Sequence, residues 1–295
     1  MLRNAALAPY TTFHVGGPAD WLVLAQNVQD LKTAVAAARA ARLQTTIIGG
    51  GSNVLIADAG VRGVVIRVHG GEALQVQDRI VRADAGLTIN GLVRWTISRG
   101  LAGLEAWAGT PGTVGGAVYG NAHFKGRLIG ELIESVELLD TDGAVARVVG
   151  RDMEFGYDAS RLQRTREVLL SADLRVAHGD PAGLRTIARE SLRYRKRTQP
   201  LESPSAGCIF QNPDPAIDRV PDGIPPSAGA LVDRAGLKGR REGGAVVSPA
   251  HGNFIVNDGT ATADDIRRLI ECCRREVLAR FGVELRDEIV YVGFS

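Results

Sequence analysis

Five stretches of this 295-residue chain carry residue types whose spacing could do chemistry. In Ile47-Ile-Gly-Gly-Gly-Ser-Asn-Val-Leu55 a β-branched run stops at Gly49, Gly50 and Gly51, followed by Ser52 and Asn53. Glycine has no Cβ, so its backbone N–H can come close to an anion, and such a stretch can cradle a phosphate. It is neither G-x-G-x-x-G nor a P-loop, since no Gly-Lys-Ser/Thr follows, and a simple tight turn is the competing reading. Gly109-Thr-Pro-Gly-Thr-Val-Gly-Gly-Ala117 repeats the theme with Gly112, Thr113, Gly115 and Gly116, and Asn121 follows. One such stretch means little. Two, both after α/β elements, fit a ligand that carries a pyrophosphate, against the alternative of a glycine-packed core loop.

The other three stretches are more ambiguous. Tyr10 to Ala19 reads as an extended segment and turn, with His14 in a structural place. Arg193, Arg195, Lys196 and Arg197, ahead of Gln199-Pro200, form either a solvated face or an anion clamp. In Ser205-Ala-Gly-Cys-Ile-Phe-Gln-Asn-Pro213, Cys208 lies between a small-residue turn and an apolar pair. It is either a small buried hydrophobe or a reactive thiol.

The elements that must position these residues alternate at first between strand and helix. Strands are expected at 21–25, 45–48 and 64–68, with an Ala-rich helix at 30–42 between the first two. Strand 79–83 is followed by a helix at 88–99, whose Ile89, Leu92, Val93 and Ile97 share one face. Segments 133–139 and 144–149 flank Asp140-Thr-Asp-Gly143 as a hairpin, and 168–176 is a further strand. Composition changes near Asp180. A basic helix at 184–197 leads into a Pro/Ser/Gly-rich stretch, 199–227, longer than an ordinary connection. A late helix carries Ile266, Leu269, Ile270, Cys273 and Val277 as one stripe, and a last strand spans 284–292.

Bulk properties exclude several classes. The chain is 45% hydrophobic and 23% charged, ordinary globular composition. A net charge of +2 gives no electrostatic footprint for nucleic acid. No run approaches a membrane span, and residues 1–10 do not read as a signal peptide. The 3 cysteines, without C-x-x-C, fit neither a disulfide framework nor a zinc site, so a reducing cytoplasm is expected and no metal.

Taken together, the stretches resemble the UDP-N-acetylenolpyruvoylglucosamine reductase family, in its shorter form, from Tyr10 to Gly293. The motifs, in the family's order, are Tyr10-Thr-Thr-Phe-His-Val-Gly-Gly-Pro-Ala19, Gly49-Gly-Gly-Ser-Asn-Val-Leu55, Gly103-Leu-Glu105 with Gly109 to Ala117, Ser205-Ala-Gly207 with Asn212-Pro213, Ala235-Gly-Leu-Lys-Gly239 and His251-Gly-Asn-Phe-Ile-Val-Asn257. The resemblance implies an α+β fold, with a two-lobed α/β FAD-binding module of the vanillyl-alcohol-oxidase-like type (1–70 and 71–180). It adds a separate α/β substrate-binding domain (181–283) and a C-terminal strand (284–295) that contributes to the active site. It implies non-covalent FAD, with its pyrophosphate held by backbone N–H groups of 49–53 and 112–116, and NADPH as co-substrate. The substrate would be UDP-N-acetylglucosamine enolpyruvate, in peptidoglycan precursor synthesis. A flavin oxidase on the same scaffold and a catalytically impaired flavin or nucleotide binder are the alternatives.

The same resemblance implies roles. Cys208 matches the family's serine proton donor. Glu288 matches the supporting acid. Tyr157, Asn212 and Arg195 or Lys196 match substrate contacts. Two positions depart from the family. Where Tyr-Arg-x-Ser is usual, with its arginine on the substrate carboxylate, this chain has Tyr157-Asp158-Ala159-Ser160-Arg161, and Arg161 is the nearest replacement. Where Asn-Ala-Gly is usual, it has Asn121-Ala122-His123. The Pro213 to Pro226 segment also looks longer than the usual connection.

Overall fold

A computed structural model describes residues 1–294. The chain divides into two compact units. The first holds residues 1–3, 21–50 and 63–194; the second holds 4–20, 51–62 and 195–295. Both expected lobes, 1–70 and 71–180, therefore contribute to the first unit, while 4–20 and 51–62 cluster with the C-terminal residues.

The chain forms two larger sheets, the second of them wholly within the first unit. One runs Leu2–Ala6, Pro18–Ala25, Val61–Val68, Thr45–Ile48, with the last two parallel. The helix Val28–Ala40 begins at Asn27, whose side chain accepts from the Asp30 N–H, a regular N-cap. It buries Leu31, Val35 and Ala38 against Ile66, Val68 and Leu170. The other sheet runs Val145–Val149, Ile133–Leu139, Val168–Arg175, Ile80–Asp84, Ala73–Gln77, antiparallel throughout. The expected hairpin is there, with Leu139 opposite Val145 across the Asp140–Gly143 turn.

That sheet's central strand has one charged residue facing inward. Asp173 is 3% exposed, and the register places Arg82 and Ser135 beside it on either side. Burial pushes the Asp173 carboxyl up, but the Arg82 hydrogen bonds and the charges of Arg82 and Arg147 outweigh it and hold the carboxyl below its usual range. The helix Ile89–Ser98 is capped by Thr88 and packs Ile89, Leu92, Val93 and Ile97 into the same core as Trp107 and Val118.

The second unit is built on the helix Ala263–Phe281, entered through a capping box between Thr262 and Asp265. Asp58 also accepts from the N–H groups of Ala263 and Asp264. The stripe read from sequence (Ile266, Leu269, Ile270, Cys273, Val277) is buried against Leu231, Val247, Ile255 and Leu285. A small sheet, Arg241–Glu242, Ala245–Val247, Ile255–Asn257, covers it. The expected strand at 284–292 is shorter than its pattern suggested. Only Val290–Val292 pairs as a strand, parallel to Val54–Ile56. Before it, the chain is held by single contacts to 209–211 because that partner stretch is only three residues long and ends near Pro213.

Candidate active site

In the first unit the two glycine stretches meet. The Thr45–Ile48 strand delivers Gly49 and Gly50 against Gly112 and Thr113. A Cβ on Gly50 would lie 2.8 Å from the Gly112 Cα, and one on Gly49 would collide with the Thr113 hydroxyl. Two backbones touching with no side chain between them form the kind of surface that can receive a pyrophosphate. Gly112 itself has φ of +100°, which a side chain would strain. Two of the expected donors have partners within the protein. The Gly115 N–H donates to Ala85 O at 2.8 Å, and the Gly116 N–H donates to Thr113 Oγ1 at 3.3 Å. Their amides cap and anchor the short helix Val114–Tyr119, and the two stretches touch at Gly49, Gly50, Gly112 and Thr113.

Gly51, Ser52 and Asn53 belong to the second unit. Gly51 has φ of +65° and presses on the Tyr10 carbonyl, so it turns the chain. Its own carbonyl accepts from the Thr12 N–H at 3.0 Å. Asn53 Nδ2 donates to the Glu288 carbonyl at 3.0 Å, and the Val290 N–H donates to the Asn53 carbonyl.

Around Glu288 the second unit brings several sequence-distant residues together. The Glu288 N–H donates to Ile209 O at 2.8 Å, setting Glu288 beside the residue that follows Cys208. Arg274 holds Asp287 and the Leu285 carbonyl, and Arg286 holds Asp218. Glu288 is thus fixed from both sides of its own sequence. The Asp218 contact gives the long Pro213 to Pro226 segment a role, since it anchors the chain that carries Glu288. The sequence did not announce Asn253. Its side chain is 3% exposed, accepts from the Phe210 N–H and donates to the Phe210 carbonyl, while its backbone carbonyl accepts from the Ile209 N–H. Cys208 therefore stands between a Gly207 at φ of +81° and a pinned Ile209–Phe210 pair.

Arg195 is 6% exposed, whereas Arg193, Lys196 and Arg197 are exposed. Burial pulls its guanidinium down to about 10, opposed by the Cys208 charge, so it stays a cation at neutral pH beside that thiol. The sequence could not single it out, because helical spacing makes all four basic residues look alike.

Two family profiles match the chain: an FAD binding domain over residues 19–148 and the UDP-N-acetylenolpyruvoylglucosamine reductase C-terminal domain over residues 199–292. The reductase of that name from Heliobacterium modesticaldum is 38% identical over 297 residues, covering 100% of this chain and 91% of the relative. The chain belongs to the UDP-N-acetylenolpyruvoylglucosamine reductase family. The Bacillus subtilis reductase is 38% identical, with 99% and 94% covered. The crystal structure of the Thermus caldophilus reductase superposes with a TM-score of 0.80 at 35% identity, covering 98% of this chain and 97% of that one.

Within this reductase fold, two expected residues hydrogen-bond to neighbouring protein groups. The Arg161 guanidinium is bidentate to Glu167, at 2.9 Å from both carboxylate oxygens, and also donates to Asp152 O. Its charge is paired with Glu167 inside the first unit. Asn212 Oδ1 accepts from the Ala228 N–H at 3.1 Å, ahead of the Ala228–Arg234 helix. Tyr157 is 45% exposed, with its ring 4.9 Å from that of His123. Ser160 is buried on the Tyr119 carbonyl.

Proposed function

We propose that the protein reduces UDP-N-acetylglucosamine enolpyruvate to UDP-N-acetylmuramate, with NADPH as electron source, in peptidoglycan precursor synthesis. The reading rests above all on the full-length similarity to reductases of that name. The glycine surface at Gly49, Gly50, Gly112 and Thr113 fits the pyrophosphate of FAD, because added Cβ atoms would fill it. FAD held at Gly49, Gly50, Gly112 and Thr113 without a covalent link would supply the hydride transfer between NADPH and the substrate's vinyl CH2 carbon.

The residues supply the rest. Hydride addition leaves negative charge on the neighbouring carbon and the adjoining carboxylate, so a proton donor and charge-stabilising groups are required. Cys208 is assigned as the donor, its Sγ–H passing to that carbon. The thiolate left behind is steadied by the buried Arg195 cation. Glu288, fixed through its backbone to Ile209 and Asn53, is assigned to support the charged intermediate. Lys196, exposed one residue on from Arg195, takes the diphosphate, and Tyr157 and Asn212 contact the sugar nucleotide.

No helix among the described residues is long and apolar enough to cross a membrane. The proposed nucleotide-sugar substrate and NADPH support reading the reaction as cytoplasmic. Consumption of NADPH that requires the enolpyruvyl nucleotide, with the lactyl ether as product, tests the reading. Consumption that depends on oxygen alone would contradict it.

A further inference from the structure

Glu288 is set against the stretch that follows Cys208 by very little backbone. The Gln211 N–H donates to Arg286 O and the Glu288 N–H donates to Ile209 O, each at 2.8 Å, around one bridge between Phe210 and Asp287. The next hydrogen bond of this series would come from residue 213, and Pro213 has no N–H. Asn212 has turned its Oδ1 to the Ala228 N–H at 3.1 Å. Beyond Glu288 the chain is fixed by the pairing of Val290–Val292 with Val54–Ile56. Before it, where strand pairing ends, side chains must hold the register.

Side chains alternate along extended backbone, so Arg286 and Glu288 share a face and Asp287 takes the other. Each face has its own ion pair. Arg274 Nη2 lies 2.6 Å from both Asp287 oxygens, which ties that face to the helix Ala263–Phe281. On the face of Glu288, Arg286 donates from Nη1 to Asp218 Oδ1 at 3.2 Å and from Nη2 to Oδ2. Asp218 is held ready for it. Its Oδ2 accepts from the Asp214 N–H at 2.6 Å, and its own N–H donates to Asp214 O at 2.7 Å. The Asp218 side chain is 9% exposed. A two-pronged guanidinium–carboxylate pair fixes orientation as well as distance. Asp218 lies in the long 213–226 segment, which continues directly from the stretch that follows Cys208. The contacts therefore close a ring that runs from Ile209 to Asp218, across to Arg286, on to Glu288 and back to Ile209.

We propose that Arg286 and Asp218 are positioning residues for the reduction: their ion pair holds the Glu288 stretch against the stretch that follows Cys208 and so sets the supporting acid against the proton donor. The inference rests on the reductase reading. It gives the extra length of the 213–226 segment a consequence for catalysis.

Two measurements separate positioning from general packing. Hydrogen exchange needs no substrate. In Arg286→Met the Gln211 and Glu288 amides should exchange about tenfold faster, while those of the 245–247 and 255–257 strands keep their protection. Stopped-flow measurement reads the catalytic consequence. At saturating substrate, Arg286→Met should slow oxidation of reduced flavin by the enolpyruvyl nucleotide by about tenfold to hundredfold, the cost of a small misplacement, and leave flavin reduction by NADPH within about twofold. Asp218→Asn removes the charge but keeps an acceptor for the Asp214 N–H. It should behave in the same way, and it carries the test if Arg286→Met does not fold. Since the pair acts through Glu288, Arg286→Met should add less than about twofold in a Glu288→Gln background. Unchanged exchange at Gln211 and Glu288, equal slowing of both half-reactions, or an Arg286→Met effect undiminished by Glu288→Gln would each overturn the proposal. A parent whose reduced flavin the nucleotide does not oxidise would overturn the reductase reading, and the inference with it.

Discussion

Cys208 is the residue whose chemistry is most exposed to test, because the three thiols sit in different surroundings. Burial and the neighbouring Cys272 push the Cys273 thiol up to about 12, and Cys272 is itself 4% exposed. Cys208 is the half-buried one. A thiol reagent should therefore titrate one group in the native protein and three after unfolding. Rapid labelling of two or more native thiols would contradict the packing described. The catalytic assignment makes a separate demand. Cys208→Ser should keep the substrate half-reaction, whereas Cys208→Ala should slow it by about 10²–10⁴-fold and leave flavin reduction by NADPH unchanged. Glu288→Gln should slow the same half only. Stopped-flow measurement of each half is decisive, and equal slowing of both would reduce either residue to a structural part. What the sequence showed at this scale was residue identity. Cys208 and Glu288 were found by motif, but the contacts that Asn253 and Asp218 make were not, because they join residues far apart in the chain. The Glu167 partner of Arg161 was hidden for the same reason, since the pairing is visible only once the chain has folded.

At the scale of elements, the two glycine stretches behave differently within a single motif. An alanine at Gly50 would bring its Cβ to 2.8 Å from the Gly112 Cα, and backbone cannot rotate out of the way. An alanine at Gly116 would meet nothing closer than Thr113 Oγ1 at 3.7 Å. Gly50→Ala should therefore cost about 1–3 kcal/mol and yield protein depleted of flavin, while Gly116→Ala should purify yellow and stable. Flavin content per chain and thermal melting check both; identical behaviour of the two variants would remove the cradle. Most elements were legible because their signals are local: the helical face of Ile89, Leu92, Val93 and Ile97, the stripe from Ile266 to Val277, and the Asp140–Gly143 turn. The last strand was misjudged because residue types from Glu284 to Val292 report an extended backbone, not a partner long enough to pair with all of it.

For the whole molecule, the two-unit division was the least legible feature. Residues 4–20 and 51–62 join the C-terminal unit through contacts such as Asn257 Nδ2 to Phe13 O at 2.8 Å, which no sequence window contains. Stability should also depend on acid through one histidine of that unit. Burial, and then the Lys238 charge, hold the His251 imidazole below its usual 6.5, and its Nδ1 accepts from the Asn253 N–H. A group with a depressed folded value binds its proton more readily when unfolded, so its stabilisation is present above 6.5 and is lost as pH falls below that value. The melting temperature of the parent should drop more between pH 7 and 5.5 than that of His251→Asn, and parallel curves would contradict the assignment.

The central claim, that this fold carries electrons from NADPH to an enolpyruvyl sugar nucleotide, meets its most direct test in one anaerobic spectrum. The purified protein should be yellow, lose its visible flavin bands on addition of NADPH, and regain them when UDP-N-acetylglucosamine enolpyruvate is added with oxygen excluded. Reduced protein that stays colourless with the nucleotide and regains its colour only on admission of air would contradict the account.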